Sequence, residues 1–334
     1  MSFIVMSTPP CFLKFMHFES LLDVRSAINI LEITMAGKFF TAELIDKWDE
    51  GGVRGRGVLK EYQPWHQITR GDPASWGRSH LTYCPILSRM RHQLSDGEQT
   101  ILGFCLMVPG IIDIREQFKL ELYGHICEVS NYSINRNFYI NIGTVDIAKD
   151  LKIKHPKVSG KSGASNWVMT SDFVLTISYK YHFETLAVAF KLHADLKKRT
   201  RDKLRIEQKY WELEQSSWLL ITEQKFSRLV GDTVRRALPW VLHPEQVSDD
   251  LKLHCSLLKE KVEGKTFTQA LRIIETNLLV DTYYSPLIFW QTVWSGMLFL
   301  DLSMLKFSSE KINILTEKEF WEQNPIVSRR SACL

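Results

Sequence analysis

Asp172-Phe173-Val174-Leu175-Thr176-Ile177-Ser178 and Thr185-Leu186-Ala187-Val188-Ala189-Phe190-Lys191-Leu192 decide how this chain folds. Both stretches alternate with a period of two, as pleated strands do when successive side chains point to opposite faces. In the first, Phe173, Leu175 and Ile177 share one face, and Asp172, Val174 and Thr176 the other. In the second, Leu186, Val188, Phe190 and Leu192 face one way, and Ala187, Ala189 and Lys191 the other. The linker around residues 179–183 is short enough for a hairpin. Asp172 and Lys191 are then expected on one face of one sheet.

Working outward, Ile111 to Phe118 reads as another strand, preceded by the break Pro109-Gly110. Before it, Ser95-Asp96-Gly97-Glu98 leads into the apolar run Thr100 to Met107. Ser95 is placed to cap a helix, with Glu98 three residues later. Downstream, Asp195 to Gln215 is a charged helix and Ser217 to Thr222 a strand. Helix, strand, hairpin, helix, strand is an α/β layout. Thr41 to Asp49 forms a short helix ending at Gly51-Gly52. From Glu223 the pattern is mainly helical, punctuated by Pro239 and Pro244, which puts a domain boundary near residue 222.

The chain has 334 residues, 24% charged and 45% hydrophobic, an ordinary globular composition that excludes disorder and collagen. A formal charge of +4 requires any polyanion site to be a local patch. The six cysteines include no Cys-x-x-Cys pair or zinc spacing, so they read as reduced thiols. The most apolar run, Leu287 to Leu302, is interrupted by Gln291, Thr292 and Ser295. It falls short of the roughly 20 residues a membrane span needs, so it reads as a buried helix. Gly51-Gly52-Val53-Arg54-Gly55-Arg56-Gly57 lacks the Gly-Lys-Ser/Thr ending of a phosphate loop. Gly160-Lys161-Ser162 has that ending, but His155 occupies the required upstream glycine position. Residues 1–34 lack the ordered features of a signal peptide. Met35 reads as the natural start, with the preceding segment an extension outside the fold.

Glu98, Asp172 and Lys191 form a set of two acids and a base. Hydrolysing a phosphodiester calls for carboxylates that hold Mg²⁺, and for a cation that stabilises charge or positions the water. Each residue also has a structural reading: Glu98 completes a capping box, Asp172 caps a strand end, and Lys191 is solvated.

The wider sequence resembles TnsA, the endonuclease subunit of heteromeric cut-and-paste transposases, from about Gly55 to Trp240. Tyr62-Gln63-Pro64-Trp65, Gly77-Arg78-Ser79-His80 and His92-Gln93-Leu94-Ser95-Asp96-Gly97-Glu98 carry the resemblance. So do Asp113-Ile114-Arg115-Glu116-Gln117-Phe118, Ile153-Lys154-His155-Pro156, Met169-Thr170-Ser171-Asp172-Phe173 and Lys209-Tyr210-Trp211. The resemblance implies a restriction-endonuclease-like domain of the PD-(D/E)xK type over 35–222. It implies a mainly helical, winged-helix-like partner-binding domain over 223–334. It also implies cleavage of the 5′ strand at transposon ends with Mg²⁺, or Mn²⁺ in its place. The implied partners are double-stranded transposon-end DNA, a TnsB-like DDE transposase and a TnsC-like ATPase, in the bacterial cytoplasm and at the nucleoid when assembled. By position, Glu98 and Asp172 are the metal carboxylates and Lys191 the catalytic lysine.

The family's last motif reads Gln or Glu, any residue, Lys, whereas this chain reads Ala189-Phe190-Lys191. Either the Phe190 backbone carbonyl joins Glu98 and Asp172 as a metal ligand, or the subunit is catalytically impaired and serves assembly. A free-standing restriction or repair nuclease of the same fold is a further alternative. Residues 119–152 depart from the family, with Ile126 to Gly143 read as an inserted hairpin. Arg54, Arg56, Arg78 and His80 are candidate DNA contacts, Arg78 and His80 at the edge of the site. The basic cluster from Lys197 to Lys209 alternates with acids and reads as a solvated helix face. The C-terminal aromatics, Trp240, Tyr283, Tyr284, Phe289, Trp290, Trp294 and Trp321, read mostly as core, with a few available to anchor a partner.

Overall fold

A computed structural model describes residues 40–70, 72–73, 78–127, 140–161, 163–303 and 309–334. The expected start at Met35 and the segment before it lie outside these residues. Phe40 to Leu334 cluster as one compact unit.

The hairpin read from the sequence is present: β8 (Thr170–Ser178) pairs antiparallel with β9 (Phe183–Phe190), Phe173 opposite Val188 and Leu175 opposite Leu186. They form the middle of a four-stranded sheet flanked by β10 (Ser217–Ile221) and β3 (Ile111–Lys119), in the order β10-β9-β8-β3. On one side, β3 runs antiparallel to β8. On the other, β10 runs parallel to β9. A parallel neighbour requires a crossover, and α4 (Lys198–Leu213) supplies it. The expected helix began at Asp195, but residues 193–195 form a single 3₁₀ turn. Lys191 lies just past the end of β9, not inside it.

The period-two faces separate as expected. Phe173, Leu175, Ile177, Leu186 and Val188 join Ile101, Leu102 and Phe104 of α2 (Asp96–Leu106) in one apolar core. On the opposite face, Val174 and Ala187 meet Ile206, Tyr210 and Trp211 of α4. Ala189 packs there with Leu196, Leu204 and Leu220. The sheet therefore lies between α2 and α4, an α/β sandwich.

Several elements escaped the sequence reading. β1 (His80–Cys84) and β2 (Arg89–Gln93) form a hairpin immediately before α2. Helix α3 (Thr144–Asp150) and the hairpin of β6 (Lys157–Gly160) with β7 (Gly163–Asn166) precede β8. The expected inserted hairpin is represented by β4 (His125–Ile126) paired with β5 (Ile140–Asn141), and residues 128–139 lie outside the description. At the front, α1 (Ala42–Glu50) is capped by Thr41 and ends at Gly51.

Beyond residue 222 come α5 (Arg228–Val241), α6 (Asp249–Ser256), α7 (Lys259–Val262), α8 (Phe267–Leu278), α9 (Tyr284–Trp294) and α10 (Glu317–Glu322). The run Leu287 to Leu302 is not one helix. It stops at Trp294, Gly296 turns with positive φ, and Leu298, Leu300 and Leu302 are buried outside helical structure. No helix among the described residues is long and apolar enough to cross a membrane. Five cysteines among the described residues are free thiols.

The core over α2 continues into these helices through Val234, Leu238, Phe289 and Trp294. Trp294 Nε1 donates to the Gly103 carbonyl at 3.1 Å, and Asn324 Nδ2 to the Phe104 carbonyl at 2.9 Å. Gly103 makes this approach possible, because a methyl group there would overlap the Val234 side chain. Gly103→Ala is expected to destabilise the protein by about 1–3 kcal/mol, as overpacking does. Thermal denaturation checks this, and an unchanged midpoint would contradict the packing.

Candidate active site

Asp172 lies near the start of β8, beside its partner strand. Its Oδ2 accepts from the Phe190 backbone N–H at 2.7 Å and from Lys191 Nζ at 2.9 Å. The carboxylate is buried and the lysine side chain is about one-third exposed. Lys191 is thus tied to Asp172 and not merely solvated. Burial works against its charged form, but Asp172, Glu98 and Glu207 more than offset this and raise its pKa above the ordinary lysine range.

Glu98 arrives from the other side, on the first turn of α2. Ser95 caps that helix by accepting from the Glu98 N–H at 3.1 Å. The Glu98 carboxylate does not close a reciprocal capping box. Its Oε2 accepts from the Leu94 N–H at 2.9 Å and from Gln117 Nε2 at 3.1 Å. Gly97 permits the close approach, since a side chain there would overlap the Phe190 ring. Burial first, and the charge on Asp172 second, push the Glu98 pKa up to about 7.

Two participants were missed in the sequence. Gln117 interrupts β3 with φ 48°, the left-handed region, and its neighbours Glu116 and Phe118 keep the register with Phe173 and Ser171. The turn delivers its amide to Glu98, while Thr170 Oγ1 donates to Gln117 Oε1 at 3.2 Å. Glu207 comes from α4 and is buried. Its Oε1 accepts from Ser171 Oγ at 2.7 Å, and Trp211 Nε1 donates to the same hydroxyl. Burial, then Asp172, raises its pKa to about 7. No local motif announces Gln117. Glu207 was hidden in a helix whose alternating charges suggested solvent.

Glu98, Asp172, Lys191, Gln117 and Glu207 line one cavity of about 320 Å³. Lys203 and Thr200 of α4 also line it, so one face of the basic cluster meets the site and not solvent alone. His66 closes another part of the wall, stacked on Trp167 with centroids 5.6 Å apart. Burial holds the His66 pKa down to about 3, which keeps its ring neutral.

Among the described residues, no three His, Cys, Asp or Glu side chains form a ready-made metal cage. Mg²⁺ does not need one, because it is commonly held by one or two carboxylates plus waters and phosphate oxygens. A buried Glu98 whose proton affinity is raised by burial and by the nearby Asp172 charge fits such an ion, since a divalent cation relieves the repulsion that a proton otherwise relieves. Ala189 is fully buried against Leu196, Leu204 and Leu220 and offers no side-chain oxygen.

The candidate DNA contacts lie in different settings. Arg54 is turned inward, with both Asp72 carboxylate oxygens at 3.1 Å, the Trp65 carbonyl at 3.2 Å and the Trp48 ring beneath it. Arg56 is largely exposed, 4.0 Å from Glu121. Arg78 and His80 converge on Asp96 at the start of α2, at 3.7 and 2.6 Å. With Gln99, Arg235 and Arg236 they line a second cavity, of about 340 Å³.

Residues 109–223 match the TnsA-like endonuclease N-terminal family. The chain is 30% identical over 215 residues to the transposon Tn7 transposition protein TnsA of Escherichia coli, covering 64% of this chain and 68% of that protein. This chain belongs to the TnsA-like endonuclease family. Asp172, Lys191 and Glu207 fall inside the matched family segment, and Glu98 lies upstream of it.

The raised carboxyl pKa values have a sign. Glu98 and Glu207 bind protons more tightly folded than unfolded, so their contribution to stability is present at low pH. It is lost as pH rises through about 7. In chelator, the melting temperature of this TnsA-like protein is expected to fall from pH 5 to 8, and Asp172→Asn to flatten that fall. Parallel profiles for the two proteins would refute the coupling.

Proposed function

We propose that this protein is a Mg²⁺-dependent DNA endonuclease that cuts the 5′ strand at transposon ends in heteromeric cut-and-paste transposition. It works with a TnsB-like DDE transposase and a TnsC-like ATPase, in the bacterial cytoplasm. The carrying observation is the convergence of Glu98, Asp172 and Lys191 on one cavity inside a TnsA-like chain. Mn²⁺ is expected to substitute for Mg²⁺.

Glu98 and Asp172 would hold the ion, which supplies an activated water and charge relief at the phosphate. Asp172 keeps Lys191 protonated, so the ammonium is available to stabilise negative charge developing on the phosphate. Gln117 and the Leu94 N–H fix the Glu98 carboxylate so that it need not reorganise. The Phe190 N–H fixes Asp172 in the same way, while the Phe190 carbonyl is the remaining candidate ion ligand on that strand. We assign 35–222 as the restriction-endonuclease-like domain and 223–334 as a winged-helix-like partner domain. Arg78 and His80 are assigned to DNA at the site's edge, with exposed Arg56 as an outlying phosphate contact. The inward-facing Arg54 supports that surface.

Ala189 favours one rival, an assembly subunit that no longer cuts. Purified protein, its TnsB-like partner, Mg²⁺ and end-labelled transposon-end DNA separate the two. The endonuclease reading expects 5′-strand cuts that Asp172→Ala reduces by about 10³-fold or more, since an electrostatic catalytic group is lost. Equal products from wild type and Asp172→Ala would leave the assembly reading.

A further inference from the structure

Ala189 leaves a gap in the chemistry of the site, and α4 is the element placed to fill it. Asp172 and Ala189 stand beside the Phe173–Val188 pair, on the sheet face that α4 covers. The Ala189 methyl is fully buried and packs with Leu204 of α4. Glu207 follows Leu204 by three residues, and residues so spaced share a helix face. The helix surface that covers the missing side chain therefore also presents a carboxylate to the cavity.

Glu207 is not a stray surface acid. It is 4% exposed and lines the cavity with Glu98, Asp172 and Lys191. One of its carboxylate oxygens also ends a relay: Trp211 Nε1 donates to Ser171 Oγ, and Ser171 Oγ donates to Glu207 Oε1, each at 2.7 Å. Ser171 is the residue before Asp172, so the relay ties Glu207 to the strand that carries the central carboxylate. Burying a carboxylate is costly unless it is paired or faces a cation. A structural hydrogen bond to Ser171 does not by itself call for a carboxylate; a neutral amide would accept it equally well.

We propose that Glu207 is the third carboxylate of the divalent-ion site, holding the ion's bound water in place of the side-chain oxygen absent at Ala189. The role runs through water because Glu98, Asp172 and Glu207 do not close into a three-acid cage. This inference rests on the ion-dependent reading of the site. It predicts that the site keeps its ion without a polar residue at 189.

The test is calorimetric titration of the full chain with CaCl₂, without DNA, for wild type, Glu207→Gln, Glu207→Asp and Ser171→Ala. Melting curves in chelator run alongside. Glu207→Gln keeps the acceptor for Ser171 and loses only the charge. It is expected to weaken Ca²⁺ binding by about 10- to 100-fold, the usual cost of removing a partner outside the direct ligands. Its chelator melting temperature should not fall. Glu207→Asp should bind better than Glu207→Gln, and Ser171→Ala should keep most of the affinity. If Glu207→Gln binds Ca²⁺ as wild type does, the role of Glu207 is overturned while the ion site stands. If Ser171→Ala loses as much affinity as Glu207→Gln, Glu207 is only a structural anchor and the proposal is overturned. If wild type binds no Ca²⁺, the ion-dependent reading falls and takes this inference with it.

Discussion

The site depends on a buried carboxylate held at the edge of a hairpin. Asp172 accepts from the Phe190 N–H and from Lys191 on the neighbouring strand, so strand register and site geometry are one constraint. A shift of one residue would carry Asp172 to the opposite face of the sheet, away from Glu207 and Lys191. The charge on Asp172 reaches further. It helps raise the proton affinity of Glu98 and Glu207 and holds Lys191 charged. Three ionisable groups are thereby poised by one carboxylate, in a cavity lined by three acids and by Lys191 and Lys203.

Bringing Glu98 to that carboxylate is the work of packing. α2 must lie close enough to β9 for its first turn to reach Asp172, and Gly97 removes the side chain that would strike Phe190. On its far side α2 is braced by α5 through Gly103 and Val234, and by hydrogen bonds from Trp294 and Asn324. The helix carrying Glu98 is therefore clamped between the sheet and the C-terminal helices. The chain's last residues add a second link: the Ala332 N–H donates to the Leu220 carbonyl on β10, and Leu334 packs with Ala189 and Leu204. Residues beyond 222 thus contribute directly to the setting of the site.

Much of this was legible because it follows from local periodicity. Alternation fixed the faces of β8 and β9, and with them the meeting of Asp172 and Lys191. Ser95 marked the start of α2 through a cap that needs only four residues of context. What stayed hidden depends on contacts between distant segments. Gln117 reads as an ordinary strand residue, and only the native pairing of Glu116 and Phe118 exposes its left-handed turn. Glu207 sits among lysines and arginines that pointed to solvent, yet one face of α4 lies against the sheet. The apolar run after Leu287 promised a longer helix, but burial there continues through a turn at Gly296. The Glu98 capping reading was half right: Ser95 caps, while the glutamate turns to Leu94 and Gln117.

The central claim is that Glu98 and Asp172 together form the seat of a divalent ion. Crystals of the full chain soaked in MnCl₂ and measured at the manganese absorption edge test it most directly. The account predicts one dominant anomalous peak between the two carboxylates, beside Lys191, and its loss in Asp172→Asn crystals. Saturating Mn²⁺ with no peak there, or a peak unaffected by Asp172→Asn, would contradict it.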